Sequence, residues 1–141
     1  MPSGVSKAQG SEPSAPALAA ALSLGAAAVQ LGTAYLLCPE ATTSTVHRHA
    51  LKSEQAQHTA LTNLFTGRPA RGIVNRLMRE LGPISERAPA FPLAAAAIAP
   101  LRAKAESLGR GDFSPLWAGQ NARGCVETPA AELTRALMRV G

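Results

Sequence analysis

Aromatic side chains are scarce: one tryptophan, one tyrosine and three phenylalanines among 141 residues. Alanine supplies much of the apolar fraction instead. It buries little area per residue, so the expected core is shallow. Few aromatics also weigh against RNA recognition, which stacks bases on aromatic rings. Cysteine is limited to Cys38 and Cys125, which show neither metal nor redox spacing. Two cysteines suit a reducing compartment and leave one disulfide open. Histidine occurs only as His47, His49 and His58. His47 and His49 fall on opposite sides of a helix, and His58 has no acidic or cysteine neighbour at ligand spacing. A metal site needs three or four converging ligands, so surface or capping histidines are expected. No nucleophile elbow, Walker loop or complete dinucleotide fingerprint is present. Nothing supports Ser–His–Asp or Cys–His catalysis.

Charge is missing from Ala15 to Cys38. That stretch is long enough to span a bilayer. Lys7 before it and Ala26-Ala27-Ala28 within it could mimic a signal peptide. The run is mostly alanine and glycine, however, and Gln30, Gly32 and Thr33 interrupt it. A buried helix–strand pair leaves the same gap. No membrane partner is therefore expected. The net charge of +5 permits an anionic ligand or nucleic acid without demanding either.

The length allows one domain at most. Residues 1–14 read as a disordered tail. A helix is expected from Pro16 to about Leu24, stopped by Gly25, followed by a strand over Ala27–Leu31. Tyr35–Glu40 leads to Pro39, where regular structure breaks. Ser44 or Thr45 can cap a helix over Val46–Ser53. His58–Thr66 alternates loosely and suits an extended segment, closed by Gly67-Arg68-Pro69. Ile73, Val74, Leu77, Met78 and Leu81 fall on one helical face, which Gly82-Pro83 ends. Ile84–Pro92 is a loop. Leu93–Leu108 is helical in composition, with Pro100 expected to split or kink it. Thr128-Pro129 starts a last helix striped by Leu133, Leu137 and Val140.

Val29–Leu37, VQLGTAYLL, is the most informative stretch. A short apolar run ends in Gln30, Gly32 and Thr33. Glycine lets backbone N–H groups approach a ligand. Threonine adds a hydroxyl and glutamine an amide donor. These are the parts of a phosphate cradle on the carboxyl rim of a parallel α/β sheet. Trp117-Ala118-Gly119-Gln120 reads either as a pocket loop or as an anchor for the tail. Arg68, Arg71, Arg76 and Arg79 form a basic stretch. A solvated helix face is the plain reading. The alternative is a non-enzymatic helical protein that binds an acidic partner or RNA through that arginine face.

Three ordered blocks carry a resemblance: ALAAALSLGAAAVQLGTAYLLCPEA, ALTNLFTGRPARGIVNRL and FSPLWAGQNARG. From about Ala17 onward the chain resembles the C-terminal part of a nitronate monooxygenase, the family once called 2-nitropropane dioxygenases. The resemblance implies an α/β fold: the C-terminal piece of a TIM (β/α)8 barrel over residues 15–141, mostly helical in isolation. It implies FMN as cofactor, no metal, and oxidation of alkyl nitronates by O2 to a carbonyl compound and nitrite. It also implies a cytoplasmic enzyme with no nucleic-acid partner. Gln30, Leu31, Gly32 and Thr33 match the family's flavin-phosphate segment. The family's preceding strand ends in Gly-Gly, for which this chain has Gly10 and Ser11. Ser11 departs from that pattern, and Val5–Gln9 lack the apolar strand expected there. No residue matches the family's catalytic histidine, which lies further upstream. The chain is thus expected to hold one barrel strand without its neighbours, and to be inactive alone.

Overall fold

A computed structural model describes residues 7–9 and 15–139. It opens with a βαβ unit. Strand β1 (Lys7–Gln9) pairs in parallel with β2 (Ala28–Gln30), and helix α1 (Ala15–Ser23) connects them. Lys7 lies opposite Ala28, and Gln9 opposite Gln30. This corrects two expectations. Lys7–Gln9 is not part of a disordered tail, and β2 has a parallel neighbour. Strand pairing uses main-chain N–H and C=O groups, so the polar sequence Lys-Ala-Gln gave no hydropathy signal for it. Gly10 and Ser11 lie outside the described residues.

Helix α1 stops where the glycine predicts. Gly25 has a φ of 94°, a conformation that costs other residues a steric penalty. Its N–H donates to Leu22 O at 3.0 Å, and Ala26 N–H donates to Ala21 O at 3.0 Å. These are the two bonds of a Schellman stop. The chain is thereby turned into β2. A single 3-10 turn, Thr33–Leu37, follows. Among the described residues no helix is long and apolar enough to cross a membrane.

Helix α2 (Thr45–Lys52) starts at Ser44, whose hydroxyl accepts from His47 N–H at 3.4 Å. A 3-10 turn at Glu54–Gln57 leads into β3 (Thr59–Thr62), which pairs antiparallel with β4 (Ala70–Ile73). The expected helix over Ile73–Leu81 is therefore shorter. Ile73 belongs to β4, opposite Thr59, and helix α3 is Arg76–Leu81. Asn75 decides the boundary: its backbone is extended, and its Oδ1 accepts from Met78 N–H at 3.3 Å. Helix spacing of Ile73 with Leu77 was thus coincidental.

Helix α4 (Leu93–Ser107) runs through Pro100 without a break, against expectation. Pro100 and Ala96 are both exposed. The Ala96 carbonyl that proline cannot bond can turn to water there. Helix α5 (Ala130–Met138) buries Leu133 and Leu137 as its stripe predicts, while Val140 lies outside the described residues. Its first N–H, at Ala130, donates to the Glu40 carboxylate at 3.1 Å.

The core divides into three patches. One gathers Leu37, Leu51, Ile73 and Leu116 with Ala50, Ala56, Ala118 and Ala122. A second joins Leu133 and Leu137 to Ala34 and Cys38, with Leu18 of α1 beside them. The third holds Leu64, Phe65, Leu77 and Met78. Alanine fills much of this interior, as the composition predicts. Leu77 is 8% exposed. Leu77→Ala is expected to cost stability toward the lower end of about 2–5 kcal/mol. Urea denaturation checks this, and a change indistinguishable from zero would mean that the third patch carries no stability.

Candidate functional site

The carboxyl end of β2 opens onto a cleft of about 850 Å³. Ligands of parallel α/β sheets gather at this end of the strands. Gln30, Leu31, Gly32 and Thr33, the four residues singled out in the sequence, all line it. Trp117–Asn121 form a second wall. Leu61 of β3 and Pro69–Arg71 at the start of β4 form the third side. The lining mixes amides (Gln30, Gln120, Asn121), a hydroxyl (Thr33), one cation (Arg71), and the apolar surface of Leu31, Leu36, Leu61 and Trp117. Among the described residues no carboxylate and no histidine lines it. A volume of this size suits a cofactor. Neutral donors and one guanidinium suit an anionic end, and the apolar walls suit a ring system.

The Trp117–Asn121 wall is tied to both other sides. Gly119 N–H donates to Thr33 Oγ1 at 2.8 Å. Ala118 N–H donates to Arg71 O at 3.2 Å. Gly72 permits this approach: a Cβ on it would lie 3.0 Å from Leu116 O, inside normal contact. The Trp117 ring packs edge-on against Phe65, with centroids 5.7 Å apart at 89°. Trp117–Gln120 is therefore a pocket wall, one of the two readings its sequence allowed. Thr33 does more than face the cleft. Its hydroxyl oxygen already accepts from Gly119, which leaves its proton to donate.

The Cys125 thiol donates to Thr33 O at 3.2 Å. Burial pushes that thiol up to about 11, and Cys38 adds to the rise. It is protonated at neutral pH and serves as a weak donor. Both cysteines are free, so the disulfide left open by the sequence is not formed.

None of the histidines lines the cleft. His49 is exposed beside a separate crevice of about 180 Å³. His58 ends the turn before β3. His47 is half-buried, and its Nε2 lies 3.0 Å from Trp117 O. Burial lowers its imidazole below the ordinary value of 6.5, opposed in part by that hydrogen bond. With the folded pKa below the unfolded one, the unfolded chain takes up the proton first as pH falls. The contribution is whole above the unfolded value and is lost downward through the folded one. The urea midpoint is expected to fall as the pH drops below the ordinary imidazole value of 6.5, and to fall less in His47→Gln. An equally steep fall in His47→Gln would assign the dependence elsewhere.

The four arginines do not form one face. Arg68 stacks over the Phe91 ring at 4.1 Å. Arg71 reaches Thr59 O and Oγ1, both at 3.3 Å. Arg76 pairs with Glu80 at 2.6 Å. Only Arg79, by the smaller crevice, has no partner of this kind recorded among the described residues. Nothing supports the binding alternative that rested on their alignment. Among the described residues no group of three or more His, Cys, Asp or Glu side chains could hold a metal ion.

Comparison with known proteins bears on this site. A family model described as nitronate monooxygenase matches residues 13–139. A nitronate monooxygenase of Pseudomonas aeruginosa is 45% identical over 120 residues, covering 84% of this chain and 34% of that protein. One of Paraburkholderia phytofirmans is 40% identical over 124 residues, covering 86% and 34%. The chain thus spans about a third of the length of these curated relatives. Among solved structures, a nitroalkane oxidase from Streptomyces ansochromogenes superposes with a TM-score of 0.80 at 41% identity, covering 90% of this chain and 36% of that one. FabK from Thermotoga maritima superposes with a TM-score of 0.62 at 25% identity, covering 91% and 41%. Both are TIM-barrel enzymes, and the present chain is a partial piece with helices and small sheets.

Proposed function

The chain belongs to the nitronate monooxygenase family, and we propose that it supplies the flavin-phosphate end of an FMN-dependent TIM barrel. The reaction assigned to that barrel is oxidation of alkyl nitronates with O2 to a carbonyl compound and nitrite. Residues 15–141 form its C-terminal part in this reading, and the β1–α1–β2 unit is one of its strand–helix–strand repeats. Two free thiols favour a cytoplasmic setting.

One observation carries the reading. Gln30, Leu31, Gly32 and Thr33 converge on a single cleft that holds no carboxylate among the described residues. A phosphate there meets neutral donors and the Arg71 charge without repulsion. The Gln30 amide, the Gly32 backbone N–H and the Thr33 hydroxyl hold the phosphate in this reading. Trp117 and Leu61 border the apolar part. When bound, FMN supplies the redox chemistry with nitronate and dioxygen. The protein's part is to bind it, orient it and keep water from its apolar face.

The test compares FMN with riboflavin, which lacks the phosphate. Trp117 is the sole tryptophan, so its fluorescence reports occupancy directly. Charge-assisted hydrogen bonds to the phosphate are expected to favour FMN by about 10-fold to about 100-fold. Equal affinities would remove the phosphate from the site.

A further inference from the structure

Helix α2 lies outside the cleft, yet two successive side chains in its first turns grip the segments that form the cleft. Arg48 donates to Leu37 O at 2.9 Å, Cys38 O at 2.7 Å, Ala41 O at 3.0 Å and Thr43 O at 3.3 Å. These carbonyls close the 3-10 turn that begins at Thr33 and the loop after it. His47, one residue earlier, reaches the opposite wall at Trp117 O. A carbonyl can only accept, so Nε2 carries the proton. Of the successive wall residues, Ala118 is held through its N–H by Arg71 O, and Gly119 through its N–H by Thr33 Oγ1. The Trp117 carbonyl points the other way and is held by His47.

We propose that His47 is a positioning residue for the cleft: its Nε2–H pins the Trp117 carbonyl and fixes the Trp117–Asn121 wall against the Gln30–Thr33 segment. Arg48 holds the Thr33 side through its backbone. One turn of α2 therefore sets the spacing of the two segments. Without the His47 donor, a part-buried carbonyl loses its partner, and the wall gains freedom to turn toward solvent. The wall then keeps only its bonds through Ala118 N–H and Gly119 N–H. The inference rests on the reading of the cleft as a flavin site only for its effect on FMN. The anchoring of the wall stands apart from any ligand.

The test uses the full chain and two substitutions. His47→Leu keeps bulk and removes the donor, whereas His47→Gln keeps an N–H donor. Acrylamide quenching of Trp117 is measured without ligand, and FMN titration follows. His47→Leu is expected to raise quenching clearly above that of the unsubstituted chain and to weaken FMN by about 10-fold, the scale of one lost buried hydrogen bond. His47→Gln is expected to restore both, which a purely bulk-filling histidine would not predict. Unchanged quenching in His47→Leu overturns the proposal, whatever happens to FMN. Raised quenching in a chain that binds no FMN supports the anchor and overturns the flavin reading. Should His47→Leu fail to fold, long-range proton–nitrogen NMR of the unsubstituted chain decides. An Nε2-protonated His47 supports the anchor, and an Nδ1-protonated neutral ring overturns it.

Discussion

The 141-residue chain, mixed with FMN, propyl nitronate and dioxygen, is expected to release no nitrite above a flavin-only control. Nitronate chemistry in a protein site needs a positioned group beside the substrate, within hydrogen-bond reach of the atom it serves. Among the described residues no histidine, aspartate or glutamate lines the cleft. His47 is committed to the Trp117 carbonyl. His49 sits at the other crevice, and His58 ends the turn before β3. In the proposed reading the cleft offers a phosphate hold and an apolar wall, which would bind a flavin without completing a catalytic constellation. Steady nitrite release would contradict this. It would give one of the three histidines a role that the described geometry withholds. The same assay on the Pseudomonas aeruginosa relative provides the positive control.

Asn75→Ala is expected to be strongly destabilising. Asn75 is 4% exposed. Its Oδ1 caps α3 through Met78 N–H, while its Nδ2 donates to Gly111 O at 3.1 Å and Ser114 O at 2.9 Å. One side chain thus starts α3 and ties it to the loop that leads to Trp117. Alanine removes the cap, worth about 1 kcal/mol. It also strands the Ser114 carbonyl, at about 1–3 kcal/mol when desolvated, whereas Gly111 O keeps the Ser114 N–H at 3.2 Å. The total is about 2–4 kcal/mol, a large share of an ordinary domain's stability. Urea denaturation followed by far-UV circular dichroism measures it. Asn75→Asp keeps the acceptor and should preserve the cap while losing both carbonyl bonds. A loss below about 1 kcal/mol in Asn75→Ala would mean that the loop and α3 are held by packing instead.

The sequence is most transparent where local chemistry decides. Gly25 stops α1 because its positive φ is a property of one residue. Ser44 and Asn75 are both local caps, yet only Ser44 was legible as one. At Asn75 the apolar spacing of Ile73, Val74 and Leu77 ran across a strand–helix boundary and hid the cap. Gln30–Thr33 was legible because a small polar cluster after an apolar run marks the rim of a parallel strand. Trp117–Gln120 was half legible: residue types suggested a wall, but only the fold brings Gly119 to Thr33, 86 residues away. Three features left no signal. The β1–β2 pairing is made by main-chain groups. Hydropathy could not show that Pro100 faces solvent. His47 bonds a main-chain carbonyl 70 residues away, and a carbonyl has no identity in the sequence. The arginines show the opposite error, in which proximity along the chain was read as a shared face.

The central proposal is that Gln30–Thr33 hold a flavin phosphate in the cleft that the Trp117–Asn121 wall closes. Backbone amide NMR of the chain, titrated with FMN and separately with riboflavin, tests it residue by residue. The account predicts that the amide signals of Gly32, Thr33 and Gly119 move with FMN and hardly move with riboflavin. Equal shifts with both flavins, or shifts confined to the crevice around Arg79 and Arg110, would contradict it.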